Sequence, residues 1–304
     1  MLYYPQQSDL QLVRQTSKVV NVRIELLNRN LTIVGELDGN LISDSFNLTS
    51  DSKQRRTYTC SLYVKDSSFQ IGPDTKIWID KYIRVYYRIM NNRTHEFGEW
   101  LLGTFTFVSP NYSYSDTTKQ LNLQCADLMA DYDGTKNGQL IGTHSLGEYT
   151  TEERLKLNMS YTFKINAVAE YETDENGEYV KDENGMPIVK SYTKMRDAIL
   201  ATLRLAGIPD SRYMVEDYTD EGQKYVPYDL EFNAGQTFAD IWDELCNLYA
   251  NWEYFFDIYG NFVWQKIPTC YDDEIVMDNT LIDPFLISES HNNTFSGIYN
   301  ATEV

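Results

Sequence analysis

Four segments between Val19 and Cys125 alternate apolar and polar residues, which is the period of a strand with one buried face. Turn-forming residues separate these segments, and no helix-length pattern lies between them. The alternating apolar positions are Val20, Val22, Ile24 and Leu26; Tyr58, Cys60, Leu62 and Val64; Ile83, Val85, Tyr87 and Ile89; and Leu121, Leu123 and Cys125. The sequence therefore predicts an antiparallel barrel or sandwich and disfavours a parallel α/β sheet.

The charge balance excludes several classes of function. The 304 residues include 45 acidic and 26 basic side chains, a formal charge of −19. Because so negative a surface repels a phosphate backbone, we expect nucleic acid to pass this protein without stable binding. The hydrophobic fraction of 42% is enough for a folded core. No apolar run reaches the roughly 18 to 20 residues of a bilayer span.

The start of the chain and its cysteines predict the compartment. Met1 to Leu12 lacks the basic start and apolar run of a secretory signal peptide, so we expect synthesis and assembly in the cytoplasm. The cysteines lie far apart and form no C-x-x-C pair, which predicts reduced and mostly buried thiols. They are Cys60, Cys125, Cys246 and Cys270. Residues 298–304 have a strand-like pattern, so we expect the native chain to continue past Val304.

Two helices are predicted in the second half, after a loop-rich stretch from Asp133 to Gly147 that we interpret as a domain boundary. One helix covers about Lys194 to Ala206 and is stopped by Gly207-Ile208-Pro209. The other follows Thr237, a capping residue, with Asp240 at the third helical position. Its predicted apolar face consists of Phe238, Ile241, Trp242, Leu245, Leu248 and Tyr249.

Hairpins are predicted on either side of the second helix. Residues 254–258 and 262–267 form two strands around the tight turn Tyr259-Gly260-Asn261. An earlier hairpin is indicated by two turn signals, Asp174-Glu175-Asn176-Gly177 and Asp182-Glu183-Asn184-Gly185, which flank Glu178 to Lys181. This eight-residue echo is the only internal repeat.

The most enzyme-like string is Asp131-Tyr132-Asp133-Gly134-Thr135, which resembles the nucleophile motif of haloacid-dehalogenase-type phosphohydrolases. The resemblance would make Asp131 the nucleophile that attacks phosphorus and Asp133 the general acid, beside a magnesium ion. Asp272-Asp273 would then be a distant pair of metal ligands. The motif requires a buried strand of a parallel sheet. Residues 126–130 instead predict a short helical turn after an antiparallel strand, so we do not adopt the enzyme interpretation.

Metal and sugar sites are weighed against simpler interpretations. Glu172, Asp174, Asn176, Gly177 and Glu183 match five positions of a calcium loop, but the opening residue is Glu and the flanks predict strands, so a plain hairpin is favoured. His95, His144 and His291 are too widely spaced to predict a zinc site. The tryptophans lie in periodic segments that favour a core position over a sugar platform; they include Trp78, Trp100, Trp242 and Trp264. We therefore predict no catalytic, cofactor-binding or metal-binding residue.

Several segments together resemble the tail-hub or baseplate-hub proteins of tailed bacteriophages and prophages, including the N-terminal hub region of tail-associated proteins. In the first half they are Arg55-Arg56-Thr57, Lys76-Ile77-Trp78-Ile79-Asp80-Lys81, Ile83-Arg84-Val85-Tyr86, Trp100-Leu101-Leu102-Gly103-Thr104-Phe105 and Ala126-Asp127-Leu128-Met129. In the second half they are Ala234-Gly235-Gln236-Thr237-Phe238 and Asp257-Ile258-Tyr259-Gly260. The similarity covers most of residues 40–300.

The resemblance implies a β-rich α+β assembly protein and not an enzyme. Its first domain would be a tail-tube-like antiparallel barrel, residues 1–130 completed by about 270–304, with residues 135–268 inserted as an α+β domain. Three copies would form a pseudo-sixfold ring at the tail tip or baseplate of a virion. Tail-tube or distal tail proteins would lie above the ring, spike or fibre proteins below it, and genomic DNA would pass through. The implied location is the virion, assembled in the host cytoplasm, without cofactors or membrane insertion.

Two alternatives remain at this stage. One is a carbohydrate-binding or receptor-binding β-module of the virion surface that uses exposed Tyr and Trp side chains as stacking platforms. The other is the phosphohydrolase described above. The acidic excess has its own hypothesis, that carboxylates face the channel and keep DNA from adsorbing, against the simpler interpretation that they solubilise the outer surface.

Overall fold

The computed structural model describes residues 7–37, 40–50, 52–64, 70–114, 119–140 and 162–268. The chain divides into a compact unit, Met1–Lys266, and a second unit, Ile267–Val304. Cys270, Asp272-Asp273, His144, His291 and the segment predicted to complete the barrel lie outside the described residues. None of the described helices is long and apolar enough to cross a membrane.

The first half of the compact unit is a seven-stranded antiparallel sheet in the order β2-β1-β5-β6-β7-β4-β3. All four segments with alternating sequence are strands, as predicted. β2 and β3 lie at opposite ends of the sheet and do not pair with each other, so the described residues form no closed barrel. A short helix, α1 (Gln7–Val13), precedes the strands. The strands are β1 (Val20–Leu27), β2 (Ile33–Glu36), β3 (Asn40–Leu48), β4 (Arg56–Tyr63), β5 (Tyr82–Met90), β6 (Phe97–Tyr114) and β7 (Lys119–Asp127).

One face of this sheet forms a hydrophobic cluster, the sheet core, which unites residues from both halves of the sheet. Ile24 and Leu26 of β1 lie in the same cluster as Tyr58 and Cys60 of β4, although three strands separate β1 from β4. Residues of the three intervening strands belong to the same cluster, so the core runs without a break across this face from β1 to β4. Register shifts in the β5–β6 and β6–β7 pairs are irregularities of the kind that bend strands.

The described part of the second half contains two longer helices and three small sheets. β8 pairs with β12 and β9 with β10, both antiparallel, and β14 lies between β11 and β13. The β11–β14 pair is parallel, a feature that the sequence did not predict. The elements are β8 (Thr162–Ile165), β9 (Val168–Tyr171), β10 (Val189–Tyr192), α2 (Met195–Leu205), β11 (Tyr213–Val215), β12 (Leu230–Asn233), α3 (Phe238–Asn247), β13 (Trp252–Phe256) and β14 (Phe262–Lys266).

Both longer helices begin where the sequence predicted. Thr237 and Asp240 form the predicted capping box: the Thr237 hydroxyl accepts from the Asp240 amide, and the Asp240 carboxylate accepts from the Thr237 amide. α3 ends at Asn247, so Leu248 and Tyr249 lie beyond the helix, although both still pack against its core. Gly207 adopts a φ of 77° directly after α2, a conformation that favours glycine and ends the helix.

The helices and the β13–β14 hairpin enclose a second cluster, the aromatic core. Trp242 of α3 is fully buried, its ring centre lies 4.7 Å from that of Phe262, and its indole N–H donates to the Thr202 hydroxyl of α2 at 3.0 Å. Trp252 stacks on Tyr218 at 3.8 Å. Each apolar helix face is thus covered by the strands and helix that follow it.

Candidate assembly surface

β3 is the most exposed strand of the large sheet. Every residue from Leu41 to Leu48 is exposed. β4 pairs with one side of β3, and no strand within the described parts of the chain pairs with its outer edge. Within the described residues β3 is therefore an edge strand, and side chains on both of its faces are exposed.

One face of β3 continues the sheet core outward. Phe46 lies opposite Tyr58 in the β3–β4 pair and meets Phe105 edge-on, with ring centres 6.4 Å apart. The Tyr58 hydroxyl donates to the Asp44 carboxylate at 3.4 Å. Leu48, at the end of the strand, is 62% exposed. The apolar face of the sheet therefore reaches the edge without being covered there.

The other face of β3 continues into rows of uncharged polar side chains. Ser61 donates to Asn122 across the β4–β7 pair at 2.6 Å. Strand register places hydroxyl or amide residues at all eight positions of two rows that cross four strands. The first row is Ser43, Ser61, Asn122 and Asn111, and the second is Ser45, Thr59, Gln124 and Ser109. We call these two rows the polar rows of the sheet.

The opposite end of the sheet is charged. Arg23 of β1 forms ion pairs with Glu25 and Glu36 and a further pair with Glu99 of β6 at 3.1 Å. These contacts raise the Arg23 pKa, mainly through the hydrogen bonds that the guanidinium donates to Glu99. Ile33 and Val34 of the edge strand β2 are each 53% exposed. This end therefore combines a short apolar edge with a network of opposite charges.

Two arginines at the start of β4 join the sheet to the β13–β14 hairpin. Arg56 Nη1 donates to the Phe256 carbonyl at 2.8 Å, and Arg55 Nη2 donates to Glu253 Oε2 at 2.6 Å. Their backbone amides donate to Asp127 Oδ2 at 2.8 and 3.1 Å. Burial raises the pKa of Asp127 to about 6 against the opposing effect of its backbone hydrogen bonds and of Arg56. Asp127 thus fixes the backbone from which the two arginine side chains reach the hairpin.

The carboxylates of the phosphohydrolase-like string take part in local contacts. The string follows a 3-10 turn, Leu128–Asp131, after the antiparallel strand β7, as the sequence predicted. Tyr82 donates to Asp131 at 2.9 Å, and Lys136 lies 3.3 Å from it. Asp133 accepts from Gln54 at 2.8 Å. The parallel-sheet setting of that motif is therefore not the setting of Asp131.

The segment of the possible calcium loop folds as two similar turns in an exposed arm between β9 and β10. In each turn an aspartate Oδ1, of Asp174 and of Asp182, accepts the backbone amides two and four positions later at 2.8 to 3.0 Å. These bonds lower the pKa of Asp174. In the described part of the chain no three His, Cys, Asp or Glu side chains are grouped so that they could hold a metal ion.

The arm differs from the single hairpin that the turn signals predicted. Each turn closes its own small bridge, Thr173 with Tyr179 and Lys181 with Pro187. The amides of Glu172, Val180 and Ile188 donate in a cycle to the carbonyls of Ile188, Glu172 and Val180, each at 2.9 Å. The eight-residue echo therefore produces a junction of three short hairpins, because residues eight positions apart meet at its centre.

The remaining candidate residues are divided between core and surface. Trp242 and Trp264 are fully buried, as predicted, whereas Trp78 and Trp100 are half-buried. Cys60 and Cys125 are buried free thiols, and Cys246 is free and half-buried. Burial raises the pKa of Cys60 to about 12, which makes it a poor nucleophile. The structure thus brings no candidate catalytic set together among the described residues.

Comparison with known proteins gives structural neighbours only. No family model matches the chain, and no curated protein matches it. Among solved structures, the Francisella PdpA-VgrG complex in its lidded form has a TM-score of 0.45 and 12% identity over 90% of this chain and 31% of that chain. The 43 kDa tail protein of prophage MuSo2 from Shewanella oneidensis has a TM-score of 0.41 and 11% identity over 80% of this chain and 52% of that chain. A tail protein from Neisseria meningitidis MC58 has a TM-score of 0.35 and 9% identity over 81% and 51%. The chain therefore spans between about a third and half of the length of these neighbours.

Proposed function

We propose that this protein is a structural virion protein that forms a trimeric, pseudo-sixfold hub at the tail tip or baseplate of a tailed phage or prophage. The motifs from Arg55-Arg56-Thr57 to Asp257-Ile258-Tyr259-Gly260 support this proposal through their resemblance to such hubs. The structural observation that carries it is β3, a nine-residue edge strand with eight consecutive exposed residues.

An edge of this kind supports assembly for a physical reason. Proteins that remain monomeric protect long edges with lysine, proline or a covering segment, because unpaired strand edges recruit other strands. β3 contains no lysine and no proline, and its only charged residue is Asp44. Its apolar residues include Phe46 and Leu48, which extend the sheet core. Pairing with another polypeptide would satisfy the backbone and cover these side chains.

The proposal retains the predicted domains and partners. Residues 1–130, completed by about 270–304, would be the tube-like barrel domain, and residues 135–268 the inserted domain. The hub would connect tail-tube or distal tail proteins to tip, spike or fibre proteins and let DNA pass. No reaction is assigned to it, since Asp131 and Asp133 make the local contacts described above.

The test is the mass and shape of the 304-residue chain in solution. Sedimentation velocity should give a species of three times the 35.4 kDa chain mass, and negative-stain images should show a ring with a central opening. A compact monomer at every concentration would contradict the hub. Binding on a glycan array would instead favour the receptor-binding alternative. Magnesium-dependent phosphate release that is lost in Asp131→Asn would favour the phosphohydrolase.

A further inference from the structure

We infer that Asn176 and Asn184, at the tips of the two similar turns of the arm, are sites of spontaneous conversion of asparagine to aspartate and isoaspartate. The third Asn-Gly pair of the chain, Asn137-Gly138, is protected by the fold. This inference goes beyond the proposed function and does not depend on it. It is argued from the surroundings of the three pairs.

The reaction uses the backbone that follows the asparagine. The amide nitrogen of the next residue attacks the side-chain carbonyl carbon, the bond from that carbon to the side-chain nitrogen breaks, and ammonia leaves with the proton of the attacking nitrogen. Water then opens the cyclic imide at one of its two carbonyls and gives aspartate or isoaspartate. The ring closes most readily before glycine, because glycine has no side chain and adopts a wide range of backbone angles.

Both Asn-Gly pairs of the arm lie in open surroundings. Asn176 and Asn184 are exposed, and so are the glycines that follow them. Apart from the adjacent residues, a Cβ atom on Gly177 or Gly185 would have no atom within 4 Å. Packing therefore does not hold either peptide group away from the asparagine side chain.

The attacking nitrogens are held only by bonds within their own turns. The Gly177 amide donates to the Asp174 carbonyl at 3.1 Å, and the Gly185 amide donates to the Asp182 carbonyl at 3.0 Å. Each nitrogen must give up this bond before it can attack. Only one exposed turn has to open for that, and such local opening costs little free energy.

The Asn137-Gly138 pair has different surroundings, although Asn137 is also exposed. Gly138 is buried, and a Cβ atom there would lie 2.3 Å from the Tyr132 Cα atom. The Gly138 carbonyl accepts from the Phe238 amide at 3.0 Å, and the Asn137 carbonyl accepts from the Gly134 amide at 2.8 Å. Turning this peptide group toward the Asn137 side chain would disrupt the start of α3. The mobility of the following glycine, and not the exposure of the asparagine, therefore sets the expected order of rates.

The conversion would change the arm itself. A carboxylate at position 176 would join Asp174, Glu175 and Glu178 in one turn. Isoaspartate also adds a methylene group to the main chain. Asp174 Oδ1 accepts the amides of residues 176 and 178 at 2.8 and 3.0 Å, a spacing that the longer main chain does not preserve. The isoaspartate form should therefore lose this turn.

The experiment is incubation of the full 304-residue chain at mildly alkaline pH, followed by proteolysis and mass spectrometry of the three Asn-Gly peptides. The change from amide to acid raises the mass of a peptide, and isoaspartate separates from aspartate by chromatography. We expect Asn176 and Asn184 to convert at least about tenfold faster than Asn137, which corresponds to a difference of about 1.4 kcal/mol in the free energy of opening.

Two controls separate the effect of the fold from the effect of local sequence. In urea, where the fold is lost, the three sites should convert at similar rates, because each has the same Asn-Gly bond. In the folded chain, Gly177→Ala should slow conversion of Asn176 about tenfold and leave that of Asn184 within about twofold, since only one ring-closing residue has changed. Circular dichroism should show that this variant is folded.

Each contrary outcome refutes the inference. Asn137 that converts as fast as the arm sites in the folded chain would show that the fold does not protect it. Arm sites that convert in urea but not in the folded chain would show that their turns are closed to the reaction. An order of rates that persists in urea would assign it to local sequence, and an unchanged rate in Gly177→Ala would exclude ring closure through Gly177. None of these outcomes depends on trimer formation, so the proposed hub is tested separately.

Discussion

The two hydrophobic cores of this protein differ in how they are closed. The aromatic core lies beneath α2, α3 and the β13–β14 hairpin, and its largest side chains, Trp242 and Trp264, are fully buried. The sheet core lies on one face of the large sheet, and at β3 this apolar face meets water, with Leu48 62% exposed. The comparison shows that burial is complete at the centre of the aromatic core and incomplete where the sheet core reaches β3.

The largest effect is expected at the centre of the aromatic core. Trp242→Ala should lower the free energy of unfolding by about 3 to 5 kcal/mol, because it removes a fully buried indole and the hydrogen bond to Thr202. Urea titration of the monomer followed by circular dichroism measures this loss. A loss below about 1 kcal/mol would show that the aromatic core is not tightly packed around Trp242.

The joint between the cores should show a pH dependence set by Asp127. Its folded pKa of about 6 lies above the ordinary value of 3.8, so the folded state binds the proton more tightly than the unfolded state between these values. Stability from this group is therefore greatest below about pH 4 and falls as the pH rises to 6. At about 1.36 kcal/mol per pH unit, the fall is about 3 kcal/mol.

Asp127→Asn provides the matched comparison for this pH effect, since an amide does not titrate. The unfolding free energies of both proteins are measured from pH 4 to 7. Above pH 6 the two curves should have the same slope. Between pH 4 and 6 only the wild type should show the additional fall in stability that Asp127 causes. Identical slopes throughout the range would show that the Asp127 carboxyl titrates normally and is not held in a buried joint.

A smaller effect is expected at the start of α3. Thr237→Ala removes the hydroxyl that accepts from the Asp240 amide and should cost about 1 kcal/mol of unfolding free energy. Thr173→Ala, on the exposed arm, is the control and should change stability by less than about 0.5 kcal/mol. Equal losses in the two variants would mean that the capping box does not support the aromatic core.

The smallest effect on the monomer is expected at the open edge of the sheet core. Leu48→Ala should change the free energy of unfolding by less than about 0.5 kcal/mol, whereas Leu245→Ala, in the aromatic core, should cost about 2 to 5 kcal/mol. Denaturant titration at low protein concentration measures both. A large loss in Leu48→Ala would show that the monomer itself covers β3, and the contrast between the cores would be wrong.

The success of sequence-based prediction in this chain followed the regularity of local patterns. β4 and β7 were predicted because their alternation is uninterrupted, and α3 because capping box and apolar stripe agree. β3 was not predicted. A register shift between Leu41 and Ser43 breaks its alternation, so only Phe46 and Leu48 remain in phase.

The sequence by itself determined the regularly alternating strands, the two longer helices with their ends, and the acidic charge, because these properties depend on neighbouring residues. Only the tertiary structure decided that Asp131 contacts Tyr82, that Asp127 accepts the backbone amides of two arginines, and that β3 is the last strand of the sheet within the described residues. The physical reason is that strand order and burial depend on contacts between residues far apart in the chain. The sequence does not distinguish the exposed Leu48 from the buried Leu245, because the fold determines which leucine is in contact with water.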